Sequence, residues 1–78
     1  MKMGDRMEQI NLKKLGKNFR TIRKKRGWTQ EKLAEHAKIH PVYVSYIEKG
    51  SRNPSITKIF NIVRALDCKP AEAFRGIL

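Results

Sequence analysis

The apolar positions of the chain fall into short helical stripes separated by turn residues. Leu15, Phe19 and Ile22 recur at i, i+4 and i+7, which predicts a first helix from about Asn11 to Arg26. Gly27 stands where a terminating residue belongs, behind Arg23, Lys24, Lys25 and Arg26, whose charge suits the negative end of a helix. Thr29 caps a second helix, with Glu31 in its first turn and Trp28 and Leu33 at hydrophobic-staple spacing. Ala34 and Ala37 continue its buried side, and Lys38 ends it. Ile39 and Val44 repeat the staple around His40 as cap and Pro41 as first helical residue; this third helix runs to Lys49, and Gly50 can close it. After the turn residues Ser51 to Pro54, Ser55 caps a fourth helix whose apolar face is predicted as Ile56, Ile59, Phe60, Val63 and Leu66. A short fifth helix opens at Pro70, carries Glu72 in its first turn and holds Phe74. No segment reads as a strand. The pattern predicts an all-α chain, compact and five-helical, with one domain over 11–78 behind a flexible segment at 1–10.

Charge changes the picture. The chain has 18 basic and 7 acidic residues among 78, a formal net charge of +11, and so calls for an anionic partner. The distribution is uneven. Residues 1–26 carry 10 basic and 2 acidic side chains, residues 27–50 carry 3 of each, and residues 51–78 carry 5 and 2. A neutral middle segment is thus framed by positive ones, as suits a reading element between phosphate-binding elements. Two short helices joined by a tight turn in that neutral segment suggest a helix-turn-helix centred on residues 30–49.

Other chemistries find little support. Cys68 stands alone, which excludes an internal disulfide and a cysteine-based zinc cluster; it reads as a half-buried apolar filler. His36 and His40 are four apart, but the turn lies between them and no third ligand is near, so no metal and no cofactor are expected. No carboxylate pair, phosphate-gripping glycine loop or nucleophile–base arrangement stands out, so no enzymatic activity and no small-molecule ligand are expected. No apolar run approaches a membrane span and no signal peptide is evident; a cytoplasmic protein is expected.

The residues sharpen the helix-turn-helix reading. The segment TQEKLAEHAKIHPVYVSYIEKGSRNPS resembles the lambda-repressor/Cro-like (XRE-type) family of bacterial and phage regulators, most specifically in RGWTQEKLAE, YVSYIEKG and RNPS. The resemblance spans about residues 11–75. It implies residues 30–37 as scaffold helix and 41–49 as recognition helix, with Ala34 small so that the two can approach. It also implies Leu33, Ile39, Val44 and Ile47 as buried positions, Gln30 as a phosphate grip, and Arg23 and Glu48 as an internal salt bridge. Three positions depart from the family pattern: Lys38 replaces the turn glycine, His40 the usual hydroxyl cap, and Lys69 occupies a cap position before the fifth helix.

At about 100° per residue, Val44 and Ile47 set the buried side of the third helix, leaving Val42, Ser45, Tyr46 and Lys49 opposite. Together with Pro41 at the helix start, these are the expected base-reading residues. Arg20, Thr29, Gln30, Tyr43, Arg52 and Asn53 are the expected phosphate contacts. A single recognition helix reads few bases, so a homodimer on two half-sites of double-stranded DNA is expected, with Ile62, Phe74, Ile77 and Leu78 as its interface.

Such a protein is a transcription regulator. It is similar to the small controllers of restriction-modification systems, with phage repressors and Cro-type proteins as rivals. An antitoxin or adaptor whose main partner is a protein is the alternative class. RNA binding is disfavoured because no stacking aromatics on a sheet are available, and membrane-surface binding because the stripe of the first helix is needed for the core.

Overall fold

The computed structural model describes residues 11–77; the segment 1–10, expected to be flexible, and Leu78, expected at the dimer interface, lie outside the described residues. Five helices follow one another: α1 (Leu12–Lys25), α2 (Gln30–Ala37), α3 (Pro41–Lys49), α4 (Ile56–Leu66) and α5 (Pro70–Ala73). No strand occurs among the described residues.

Capping chemistry sets the boundaries. The side chains of Asn11, Thr29 and Ser55 accept the backbone N–H of Lys14, Lys32 and Lys58 at 3.0, 3.0 and 3.2 Å. His40 replaces a hydroxyl cap successfully: its Nδ1 accepts the Val42 N–H at 3.1 Å. Lys69 offers no acceptor, and the start of α5 is held instead by Glu72, whose Oε1 accepts the Lys69 N–H at 3.0 Å. Lys38 takes the left-handed conformation, φ 60° and ψ 44°. For a residue with a side chain this costs about 1 kcal/mol. The closure it permits offsets that cost, because the Ile39 N–H reaches back to the Ala34 carbonyl at 3.0 Å. Asp67 does the same at φ 51°, with Cys68 N–H donating to the Val63 carbonyl at 3.2 Å.

The core gathers Leu15 and Phe19 from α1, Leu33, Ala34 and Ala37 from α2, Val44 and Ile47 from α3, Ile59, Ile62, Val63 and Leu66 from α4, and Ala73 from α5. Ile22, Trp28, Ile39, Phe74 and Ile77 are half-buried against it. Two corrections concern α4. Ile56 and Phe60, predicted on its apolar face, stand 59 % and 49 % exposed. Ile62, expected at the dimer interface, is 1 % exposed and belongs to the core, so it has no surface to offer a partner. Packing decided between two helical stripes: the buried one runs through Ile59, Ile62, Val63 and Leu66, and Ile56 and Phe60 fall on its flank.

α1 packs on α3, and α2 packs on both α3 and α4. The α1–α3 crossing is close because Gly16 lies at it. A Cβ there would overlap the carbonyl oxygen of Ile47 and come within 2.6 Å of that of Glu48. The far end of α1 is tied to the C-terminal segment by Asn18, whose Nδ2 donates to the carbonyls of Ala73 at 2.8 Å and Arg75 at 3.0 Å.

The crossing yields a prediction against helix propensity. Alanine in place of glycine inside a helix ordinarily stabilises by about 1 kcal/mol. At Gly16 the backbone of α3 cannot retreat without disturbing the core, and overpacking costs about 1–3 kcal/mol or more. Gly16→Ala should therefore lower the melting temperature, by on the order of 5 °C or more for a domain of this size. A melting temperature equal to or above the wild type, measured by circular dichroism, contradicts the close crossing.

Candidate nucleic-acid interface

The recognition surface is built on one buried ion pair. Arg23, in the last turns of α1, meets Glu48, near the end of α3, through Nε to Oε2 at 2.7 Å and Nη2 to Oε1 at 3.0 Å. The Arg23 Nη1 donates to the Trp28 carbonyl at 2.7 Å, and Gln30 Nε2 donates to Glu48 Oε1 at 3.0 Å. Both charged side chains are nearly solvent-free. The network satisfies the pair fully, which such burial requires. Among the described residues no buried side-chain nitrogen or oxygen lacks a partner.

This network sets the rotation of α3. Val44, Ile47 and Glu48 face inward. Val42, half exposed at 50 %, Tyr46 at 37 %, and the exposed Pro41 and Lys49 face outward, with Ser45 half-buried beside them. The five residues expected to read bases therefore share the outer side of one helix.

Charge gathers next to that side. Arg20 from α1, Gln30 from the start of α2 and Lys49 from α3 line one cleft, with Arg23 and Glu48 also in its wall. Lys13 of α1 lies against Gly50, so α1 sets a cation beside each of two successive positions at that end of α3, Lys13 by Gly50 and Arg20 by Lys49. Gln30 is not free to swing, because Glu48 holds its amide. It can still present its second amide hydrogen to an anion in the cleft. Thr29, Tyr43, Arg52 and Asn53 line no part of that cleft. The Thr29 hydroxyl caps α2 and keeps its own hydrogen to donate. The Tyr43 ring is half-buried, with Lys58 Nζ 5.2 Å from its centre. Arg52 lies with its Cζ 5.0 Å from the centre of the Tyr46 ring, and Asn53 is exposed beside it in the same loop.

Three features escaped the sequence. Gly16 lies mid-helix and carries no motif, although a glycine in a helix interior is itself a signal that something approaches closely. Lys58 over Tyr43 and Arg52 over Tyr46 depend on tertiary geometry with no local signature. The remaining candidates for other chemistry stay quiet. The Trp28 and His36 rings stack with centroids 4.6 Å apart, which occupies His36 in packing. No group of three or more His, Cys, Asp or Glu residues that could hold a metal occurs among the described residues. Burial pushes the Cys68 thiol above its ordinary value, and the Glu72 carboxylate adds to the shift. That is the reverse of what a reactive thiolate requires. No helix of the described residues is long and apolar enough to cross a membrane.

Comparison with known proteins agrees with this geometry. Residues 19–72 match the family described as helix-turn-helix. Control protein C.BamHI of Bacillus amyloliquefaciens is 41 % identical over 58 residues, covering 73 % of this chain and 72 % of that one. The crystal structure of the restriction-modification controller protein C.AhdI from Aeromonas hydrophila superposes with a TM-score of 0.80 at 38 % identity, covering 82 % of this chain and 97 % of that one. The controller C.Esp1396I, solved as a tetramer in complex with its natural 35 base-pair operator, gives 0.76 at 32 % identity, covering 85 % and 87 %. With its scaffold helix at 30–37, its recognition helix at 41–49 and these relatives, the chain belongs to the helix-turn-helix family, in the lambda-repressor/Cro-like form that its motifs resemble.

Proposed function

We propose that the chain is a sequence-specific regulator of transcription that binds double-stranded DNA as a homodimer, laying α3 in the major groove of each half-site. The observation that carries this reading is the outer face of α3, with Val42, Tyr46 and Lys49 exposed beside the cleft of Arg20, Gln30 and Lys49. A major groove admits one helix, and the cations alongside then meet the phosphates of its rim. Similarity to C.BamHI and C.AhdI supports a role as controller of a restriction-modification system. In this reading the protein acts in the cytoplasm, catalyses no reaction and needs no cofactor.

The roles divide by chemistry. Val42 offers only apolar contact, most usefully to a thymine methyl; Ser45 and Lys49 offer hydrogen bonds; Tyr46 offers its ring and a hydroxyl that discriminates only weakly; Pro41 sits where the helix start meets base edges. Arg20, Gln30 and Thr29 bind phosphate near the positive end of α2, with Tyr43 and Asn53 as further backbone contacts.

The dimer needs a patch that overcomes the mutual repulsion of two chains of net charge +11. A two-fold interface presents the same patch on both subunits, which an apolar surface satisfies and a basic one does not. Phe74 and Ile77 are half covered by the core, whereas Ile56 and Phe60 stand exposed one turn apart on α4. The interface of this proposal therefore centres on Ile56 and Phe60. C.Esp1396I, a tetramer on its operator, supports assembly of this kind.

Two measurements test these assignments. In salt titrations, Arg20→Ala should weaken specific and random DNA about equally and reduce the slope of log affinity against log salt by about one per site contacted. Val42→Ala should leave that slope alone and lower the preference for thymine at one position by about 1 kcal/mol. Loss of specific binding alone in Arg20→Ala, or an unchanged base preference in Val42→Ala, contradicts the assignment concerned. By sedimentation, Phe60→Asp should be monomeric at tens of micromolar, with the helical circular dichroism of the wild type retained, because Phe60 stands outside the core. A dimer as tight as the wild type would move the interface elsewhere.

A further inference from the structure

Tyr46 alone is a poor reader. Its hydroxyl both donates and accepts, so it tells bases apart weakly. Arg52 alone looks like a phosphate contact at the edge of the motif. The structure joins the two. Gly50 takes a left-handed turn at φ 76° after α3, and the chain folds back on the helix it has just left. The Ser51 N–H donates to the Tyr46 carbonyl at 3.0 Å, and the Ser51 hydroxyl donates to the same oxygen at 3.2 Å. This double tether sets the next residue over position 46, and the Arg52 Cζ lies 5.0 Å from the centre of the Tyr46 ring. Among the described residues neither ion pair involves Arg52.

We infer that Tyr46 selects DNA sequence through Arg52: its ring is the platform that holds the Arg52 guanidinium over the outer face of α3, where it reads a guanine. This rests on the DNA-binding reading above. A guanidinium over an aromatic ring keeps its N–H donors in a rigid planar fork. That fork matches the N7 and O6 acceptors that guanine alone presents together in the major groove. Stacked on Tyr46, the guanidinium lies over an outward residue of α3, on the side that faces the groove floor, rather than extended away from the helix toward the backbone rim. Arg52 is thus a base-reading residue, and Tyr46 is the residue that positions it.

The test is selection of binding sites from random duplex DNA with the full chain, followed by affinity measurements on single-base variants of the selected site. Both side chains are on the surface, so the variants should melt close to the wild type. Wild-type protein should select a consensus containing a guanine that Arg52→Ala no longer demands, with discrimination at that base pair falling about tenfold. Tyr46→Leu should relax the same base pair, and the double variant should relax it no further. Tyr46→Phe, which keeps the ring and loses the hydroxyl, should retain the wild-type preference. Arg52→Ala that weakens all sequences equally would make Arg52 a phosphate contact and overturn the inference. So would Tyr46→Leu relaxing a different base pair, or Tyr46→Phe behaving like Tyr46→Leu. Failure of the wild type to select any consensus would overturn the DNA-reading proposal itself, and the inference with it.

Discussion

The aim of the recognition helix depends on the buried pairing of Arg23 with Glu48. Two charges withdrawn from water are expensive, and the cost is met only if both ends are fully hydrogen-bonded. Here four segments contribute. α1 supplies the guanidinium, α3 the carboxylate, the start of α2 the Gln30 amide, and the turn between α1 and α2 the Trp28 carbonyl. Apolar packing of Val44 and Ile47 tolerates some rolling of α3; a two-pronged bond to Glu48 does not. The pair therefore aims the outward residues, and Gly16 lets α1 come close enough for the pair to form.

The same network explains how a chain of such positive charge keeps a neutral reading segment. The one acidic group on α3 is turned inward and spent on Arg23. The outward side of the helix then carries apolar and hydroxyl groups with a single cation, Lys49, while the surrounding cations stand on α1 and in the loop after α3. Burial of the Glu48 carboxylate thus leaves no acidic side chain on the outward side of α3.

Much of this was legible in the sequence, and the parts that were not share a reason. Helix ends follow from local groups, so Thr29, Ser55, Pro41 and Gly50 mark them correctly, and even His40 works as a cap because an imidazole nitrogen accepts as a hydroxyl does. The outward side of α3 follows from periodicity once Val44 and Ile47 are known to be inside. Periodicity fails on α4, where Ile56–Phe60–Val63 and Ile59–Ile62–Val63–Leu66 are both valid helical stripes. Only the position of α2, packed against one of them, decides, and it buried Ile62 and left Phe60 outside. Arg52 was legible as a cation in a loop but not as a neighbour of Tyr46. That proximity depends on a left-handed closure and two hydrogen bonds to one carbonyl, none of which the composition of the loop announces.

The central claim, that the Arg23–Glu48 pair holds the recognition helix on its scaffold, is tested most directly by a double-mutant cycle in denaturant unfolding. Arg23→Met and Glu48→Met each strand a buried charge and should each cost about 3–5 kcal/mol. The double variant, which replaces both charges by apolar chains of similar length, should be more stable than either single variant, giving a large favourable coupling. Costs that simply add, so that the double variant is the least stable of the three, would contradict the account.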